Sequence, residues 1–169
     1  NKVKQLETFR PVGPHMLTLI EKLEPFELEN RWKLYSLLAQ YLMLIGKTEE
    51  ACEYFAQAAQ RYPEPITPYD EAFITLTLQT ADAETACGNY ELAVLLIKQV
   101  ISDETEHFGH PHPLTLVKLA NIFFRDNDYA QAIEHYQRAI HLEQENCGDE
   151  NLIASHWNNL GRVYLAAEQ

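Results

Sequence analysis

Residues 126–144, DNDYAQAIEHYQRAIHLEQ, decide the fold. Ala132, Tyr136 and Ala139 follow one another at intervals of four and three, so all three lie on one face of a helix. Small side chains at Ala132 and Ala139 let a second helix approach closely, and Tyr136 fills the space between them. Tyr129 begins the same stripe one turn earlier, and Asp126-Asn127-Asp128 ahead of it is a turn with capping chemistry. The figure recurs at Ala51, Phe55 and Ala58, with Pro63 closing the helix, and more loosely at Ala93, Ile97 and Val100. The leading alanines are 42 and 39 residues apart. A turn of the same character precedes each copy: Gly46-Lys47-Thr48, Gly88-Asn89-Tyr90 and Asn127-Asp128-Tyr129. A period near 40 with two helices per unit implies an α-solenoid, because each pair buries its apolar face only against the next.

A second figure stands before each turn. Its clearest copy is Trp157, Leu160, Gly161 and Tyr164, which is W-x2-L-G-x2-Y without a mismatch. Tyr35, Leu38, Ala39 and Leu42 form an earlier copy, Leu116, Leu119, Ala120 and Phe123 another, and a degenerate one surrounds Thr77, Thr80 and Ala81. Together these features resemble the tetratricopeptide repeat. The resemblance covers roughly residue 27 to the end. Its long period, its inter-repeat phrases His110-Pro111-His112-Pro113-Leu114-Thr115-Leu116 and Cys147-Gly148-Asp149-Glu150, and Trp157-Asn158-Asn159-Leu160 are similar to the long-repeat variety typified by kinesin light chains. The resemblance implies an all-α fold, a right-handed α-solenoid of antiparallel helix pairs. The expected layout is an N-terminal tail and capping helix over 1–26 and repeats at about 27–65, 69–108, 113–147 and an incomplete 152–169. Within it, helices are expected over 27–45, 48–62, 69–87, 90–106, 115–125, 129–145 and 152–169. The helix beginning at Tyr90 is apolar on more than one face, as suits an element sandwiched between neighbours. The last helix lacks its partner, which implies either a piece of a longer array or a capping helix.

Composition narrows the function. The 169 residues carry a net charge of −12, which disfavours nucleic acid or an acidic membrane surface as a partner. No apolar run approaches about 18 residues, so no membrane insertion is expected. The three cysteines, Cys52, Cys87 and Cys147, are widely spaced and read as reduced thiols of a cytoplasmic protein. No Gly-rich phosphate loop, nucleophile elbow or HExxH motif is present, so no catalytic residue and no cofactor is assigned and the chain reads as a non-enzyme. His107, His110 and His112, with Asp103, Glu104 and Glu106 nearby, have the donor types of a metal site. Prolines flank two of the three histidines, however, and the segment reads as an inter-repeat turn, so no metal ligand is assigned.

The tetratricopeptide resemblance implies that the first helix of each pair lines a concave groove where an extended peptide lies. Off the packing stripe, those helices present Lys33, Ser36 and Gln40; Thr75, Gln79 and Asp82; Lys118, Asn121 and Arg125; and Asn158, Asn159 and Arg162. The last two sets are the candidate peptide-binding residues. They join three cations and three amides in an acidic chain, and such a face suits an acidic peptide, which kinesin light chains also bind. The plain alternative is a set of ordinary solvated helix residues. Other readings are a regulatory or sensor segment acting on an effector domain of its own polypeptide, self-association through the exposed edge of the last repeat, and a structural spacer.

Overall fold

The computed structural model describes residues 18, 22, 30–63, 69–146 and 148–168. The expected N-terminal tail and capping helix, most of the proline-rich connector, and Cys147 lie outside these residues. Seven helices are present among the described residues: α1 (Arg31–Leu44), α2 (Thr48–Gln60), α3 (Glu71–Cys87), α4 (Tyr90–Phe108), α5 (Pro113–Arg125), α6 (Tyr129–Glu145) and α7 (Glu150–Ala167). The chain divides into two compact units, residues 1–87 and 88–169.

In the first unit, the alternation of small and bulky residues seen in the sequence becomes the packing surface. Tyr35, Leu38, Ala39 and Leu42 of α1 meet Ala51, Phe55 and Ala58 of α2, with Leu76 and Ala83 of α3 completing the cluster. Burying an aromatic such as Phe55 contributes about 2–3 kcal/mol, so a few such residues decide the pairing. Asp70 starts α3 by accepting the backbone N–H of Ala72 and of Phe73, and the Tyr62 hydroxyl also donates to it at 2.7 Å. The many threonines of α3 are tolerated because Thr75, Thr77, Thr80 and Thr85 each donate to the carbonyl four residues earlier.

The second unit repeats the scheme. Leu116, Val117 and Ala120 of α5 pack with Ala132, Tyr136, Ala139 and Ile140 of α6 and with Leu160 and Val163 of α7. The turns quoted above share one backbone device. Gly46, Gly88 and Asn127 all have left-handed φ, at 83°, 84° and 64°. After α1, the Lys47 N–H reaches the Leu42 carbonyl and the Gly46 N–H reaches Met43; after α5, Asp128 and Asn127 do the same to Phe123 and Phe124. Both are Schellman closures, which need a residue that tolerates the left-handed region.

Two expectations need correction. Helix α4 buries a single stripe, Ala93, Ile97 and Val100, together with Glu104, while Leu92 is exposed and Leu95 is 64 % exposed. Its apolar residues exceed what its neighbours among the described residues cover. In α7 only Leu160 of the Trp-Leu-Gly-Tyr figure is buried; Trp157, Gly161 and Tyr164 are exposed. That helix packs through His156, Leu160 and Val163, one position off the expected face. Helix bounds also shift by a turn or less: α5 begins at Pro113, where proline fits the first helical position, and α7 begins at Glu150 behind Asp149, which caps Asn151.

Candidate functional site

The first unit has a groove between α1 and α3 of about 400 Å³, lined by Trp32, Lys33, Ser36, Leu37, Gln40, Ala72, Thr75, Leu76 and Gln79. Helical intervals produce it. Positions 33, 36, 37 and 40 form one face of α1, and positions 72, 75, 76 and 79 form the facing side of α3. Apolar walls flank a polar floor. The Ser36 hydroxyl donates to Gln79 Oε1 at 3.2 Å, and Gln40 Nε2 donates to Ser36 Oγ and Gln79 Oε1, also at 3.2 Å. These bonds use the amide oxygen of Gln79 and the amide nitrogen of Gln40. Among the described residues the Gln79 donor and the Gln40 acceptor are left for a further partner, which is the pair an extended backbone requires. Leu37 is 52 % exposed, and Lys33 Nζ stands 5.4 Å from the Trp32 ring centroid at the rim.

In the second unit, the candidate residues from the sequence occupy α5 and α7. Asn121, Arg125, Asn158 and Arg162 are exposed, whereas Lys118 and Asn159 are half-buried. The structure gives Asn121 and Arg162 an aromatic neighbour each. The Tyr136 hydroxyl donates to Asn121 Oδ1, and the Arg162 guanidinium lies 5.7 Å from the Phe124 ring centroid. Burial pushes the pKa of the Tyr136 phenol up, and the nearby Arg162 charge opposes that rise. Arg125 stands in the last turn of α5, where a cation suits the helix dipole, and Asn158 and Asn159 precede Arg162 by one turn. These three do not join the aromatic cluster.

The histidine-proline segment is a turn, and its anchor is a residue that sequence reasoning had grouped with possible metal donors. Glu104, only 3 % exposed, accepts from the His112 N–H and from the Thr115 hydroxyl, both at 2.8 Å. His112 in turn caps α5 by accepting the Leu114 N–H. The signal was an acid within a buried helical stripe, four residues after Val100. Among the described residues no group of three or more His, Cys, Asp or Glu could hold a metal ion. Two histidines given no role are packed inward: His156 is buried, and His135 stacks on Phe123 with centroids 5.5 Å apart. Burial pushes both below the ordinary histidine value, which favours the neutral ring.

The helix pairs and their turns agree with comparison to known proteins. Two family models, each described as tetratricopeptide repeat, match residues 35–65 and 111–169. The chain is a tetratricopeptide repeat protein. A clustered mitochondria protein homolog from Debaryomyces hansenii is 30 % identical over 125 residues, which is 72 % of this chain and 9 % of that protein. This chain therefore matches only a small segment of that relative. Among solved structures, a Podosopora anserina protein described as a kinesin light chain with nearly identical TPR-like repeats aligns at a TM-score of 0.80 and 16 % identity, over 99 % of this chain and 86 % of that one. BtubC (BKLC) from P. vanneervenii aligns at 0.77 and 18 % identity, over 98 % and 68 %. Identities this low establish a common fold. The fold supports a protein–protein interaction module, and among the described residues no helix is long and apolar enough to cross a membrane.

Proposed function

We propose that this tetratricopeptide segment binds an extended, acidic peptide of a protein partner. The observation that supports this best is the α1–α3 groove, where the Gln40–Ser36–Gln79 floor lies between apolar walls under the Lys33 rim. Main-chain groups of an extended peptide would bond the two amides, a side chain would enter beside Leu37 and Trp32, and a carboxylate would meet Lys33. The α5–α7 face of the second unit offers an acidic peptide its own cations and amides, Lys118, Asn121, Arg125, Asn158, Asn159 and Arg162, with Arg162 over Phe124.

Selection from a random peptide display library, followed by titration of the enriched peptides, tests both parts. Acidic sequences should be enriched. Lys33→Glu with Gln79→Ala should weaken their binding at least about tenfold, since a charge-assisted and a neutral hydrogen bond are lost. Arg125→Glu with Arg162→Glu should abolish it if the second face carries the acidic contacts. Enrichment of basic or uncharged peptides, or affinities that neither pair of substitutions alters, would refute the reading.

A second reading is a regulatory segment acting on an effector domain of its own polypeptide. It is favoured by the Debaryomyces hansenii relative, in which the matching stretch is a small part of a long chain. Cross-linking of the full-length protein would support it if α1–α3 or α5–α7 lysines linked to another domain and free peptide failed to compete.

A further inference from the structure

The sequence shows no spacing that relates its cysteines, yet the fold relates two of them. Cys52, in the second turn of α2, and Cys87, the last residue of α3, are 35 positions apart, and their sulfur atoms are 2.9 Å from each other. Both are free thiols and both are partly accessible. Each is carried on a helix whose place is fixed by the shared core of Phe55, Ala58, Leu76 and Ala83. The approach is therefore imposed by packing of the whole unit and not by a mobile loop. Closing from this separation to a covalent S–S bond of about 2.05 Å requires a movement of less than one ångström, within the reach of side-chain rotation. Burial, the neighbouring Cys87 and the Glu84 carboxylate all push the Cys52 thiol up, which favours its protonated form.

We propose that Cys52 and Cys87 are a reversible disulfide site that locks α2 to α3 when a peroxide or disulfide oxidant is present. With hydrogen peroxide the balance is complete. The two thiols give up two protons and two electrons, an S–S bond forms, the O–O bond breaks, and two waters leave. With a small disulfide, two successive exchanges release two small thiols. The lock joins the start of one helix to the end of the next. It removes chain entropy from the unfolded state while changing the folded packing little. Since α3 is also a wall of the α1–α3 groove, oxidation would hold that wall to α2.

The test is oxidation of the folded protein with hydrogen peroxide, and separately with oxidised glutathione, followed by peptide mapping without reduction. The expected product is one intramolecular link between the Cys52 and Cys87 peptides. It should form in the wild type and in Cys147→Ser, be reversed by a phosphine reductant, and raise the thermal midpoint by about 5–10 °C. Cys52→Ser and Cys87→Ser should lose both the link and the shift. The same oxidants applied in urea confirm that the thiols can react. A link to Cys147, stable glutathione adducts on Cys52 or Cys87, or no reaction in the folded state despite reaction in urea would each overturn the proposal.

Discussion

The two units use the same helix-pair grammar to different ends. In the first, the outward face of α1 meets α3 and closes a groove with a bonded polar floor. In the second, the candidate polar groups are met separately, Asn121 by the Tyr136 hydroxyl and Arg162 by the Phe124 ring. The same motif positions also have different fates. Tyr35 begins the signature figure in α1 and is 1 % exposed, whereas Trp157 begins it in α7 and is 52 % exposed. A motif thus specifies which residues are available for packing, and the neighbouring helix determines whether they are used.

That difference is open to a direct break. Tyr35→Ala should destabilise the fold by about 3–5 kcal/mol, the usual cost of emptying an aromatic core site, and Trp157→Ala by less than about 1 kcal/mol. Urea titration of both variants provides the measure. Equal losses would mean that the Trp157 face is covered in solution and that the contrast between the units is smaller than the structure indicates.

Next in size is the anchor peculiar to the second unit. Glu104→Ala should cost about 2–3 kcal/mol, because it leaves the His112 N–H and the Thr115 hydroxyl without their buried acceptor. Hydrogen exchange at His112 should accelerate in that variant while amides of α1 and α2 are unchanged. The corresponding device in the first unit is Asp70, and its loss should cost less, about 1 kcal/mol for Asp70→Ala, since it is a half-exposed helix cap. It also carries a pH signature. The Tyr62 hydroxyl above all, helped by the backbone amides of Phe73 and Ala72, holds the Asp70 carboxyl below its ordinary value against the opposing effect of burial. The stabilisation is complete above the unfolded carboxyl pKa of about 3.9 and is lost as pH falls through the lower folded value. Acid titration of Asp70→Asn should lack that part of the wild-type loss.

Much of this was legible in the sequence because local chemistry wrote it there. Gly46, Gly88 and Asn127 marked turns that need left-handed backbone, and Ala132, Tyr136 and Ala139 marked a packing face that the structure buries. The bounds of α6 agree with those expected. The groove was less legible. Ser36, Gln40 and Gln79 lie off the packing stripe in the sequence, but the bonds that join α1 to α3 through them cross 39 and 43 positions, and Ser36 is buried where the two helices meet. The approach of Cys52 to Cys87 and the burial of Glu104 were hidden for the same reason: each is a property of two helices, and a period describes only one. Trp157 failed in the opposite way, since its motif implied a contact that the described residues do not supply.

The smallest expected effect tests that last point. Gly161 occupies the small-residue position of the signature figure, where a glycine is expected to admit a neighbouring helix. In α7 a side chain at this position would have no neighbour within 4 Å among the described residues. With no close approach to preserve, the glycine only adds backbone freedom to the unfolded chain and weakens the helix. Gly161→Ala should therefore stabilise the protein by roughly 0.5–1 kcal/mol, raising the thermal midpoint by a few degrees. Ala39 and Ala120, at the matching positions of α1 and α5, are fully buried, and there even one added methylene should destabilise. A loss of stability in Gly161→Ala would place another surface against α7 in solution and make its position equivalent to the other two.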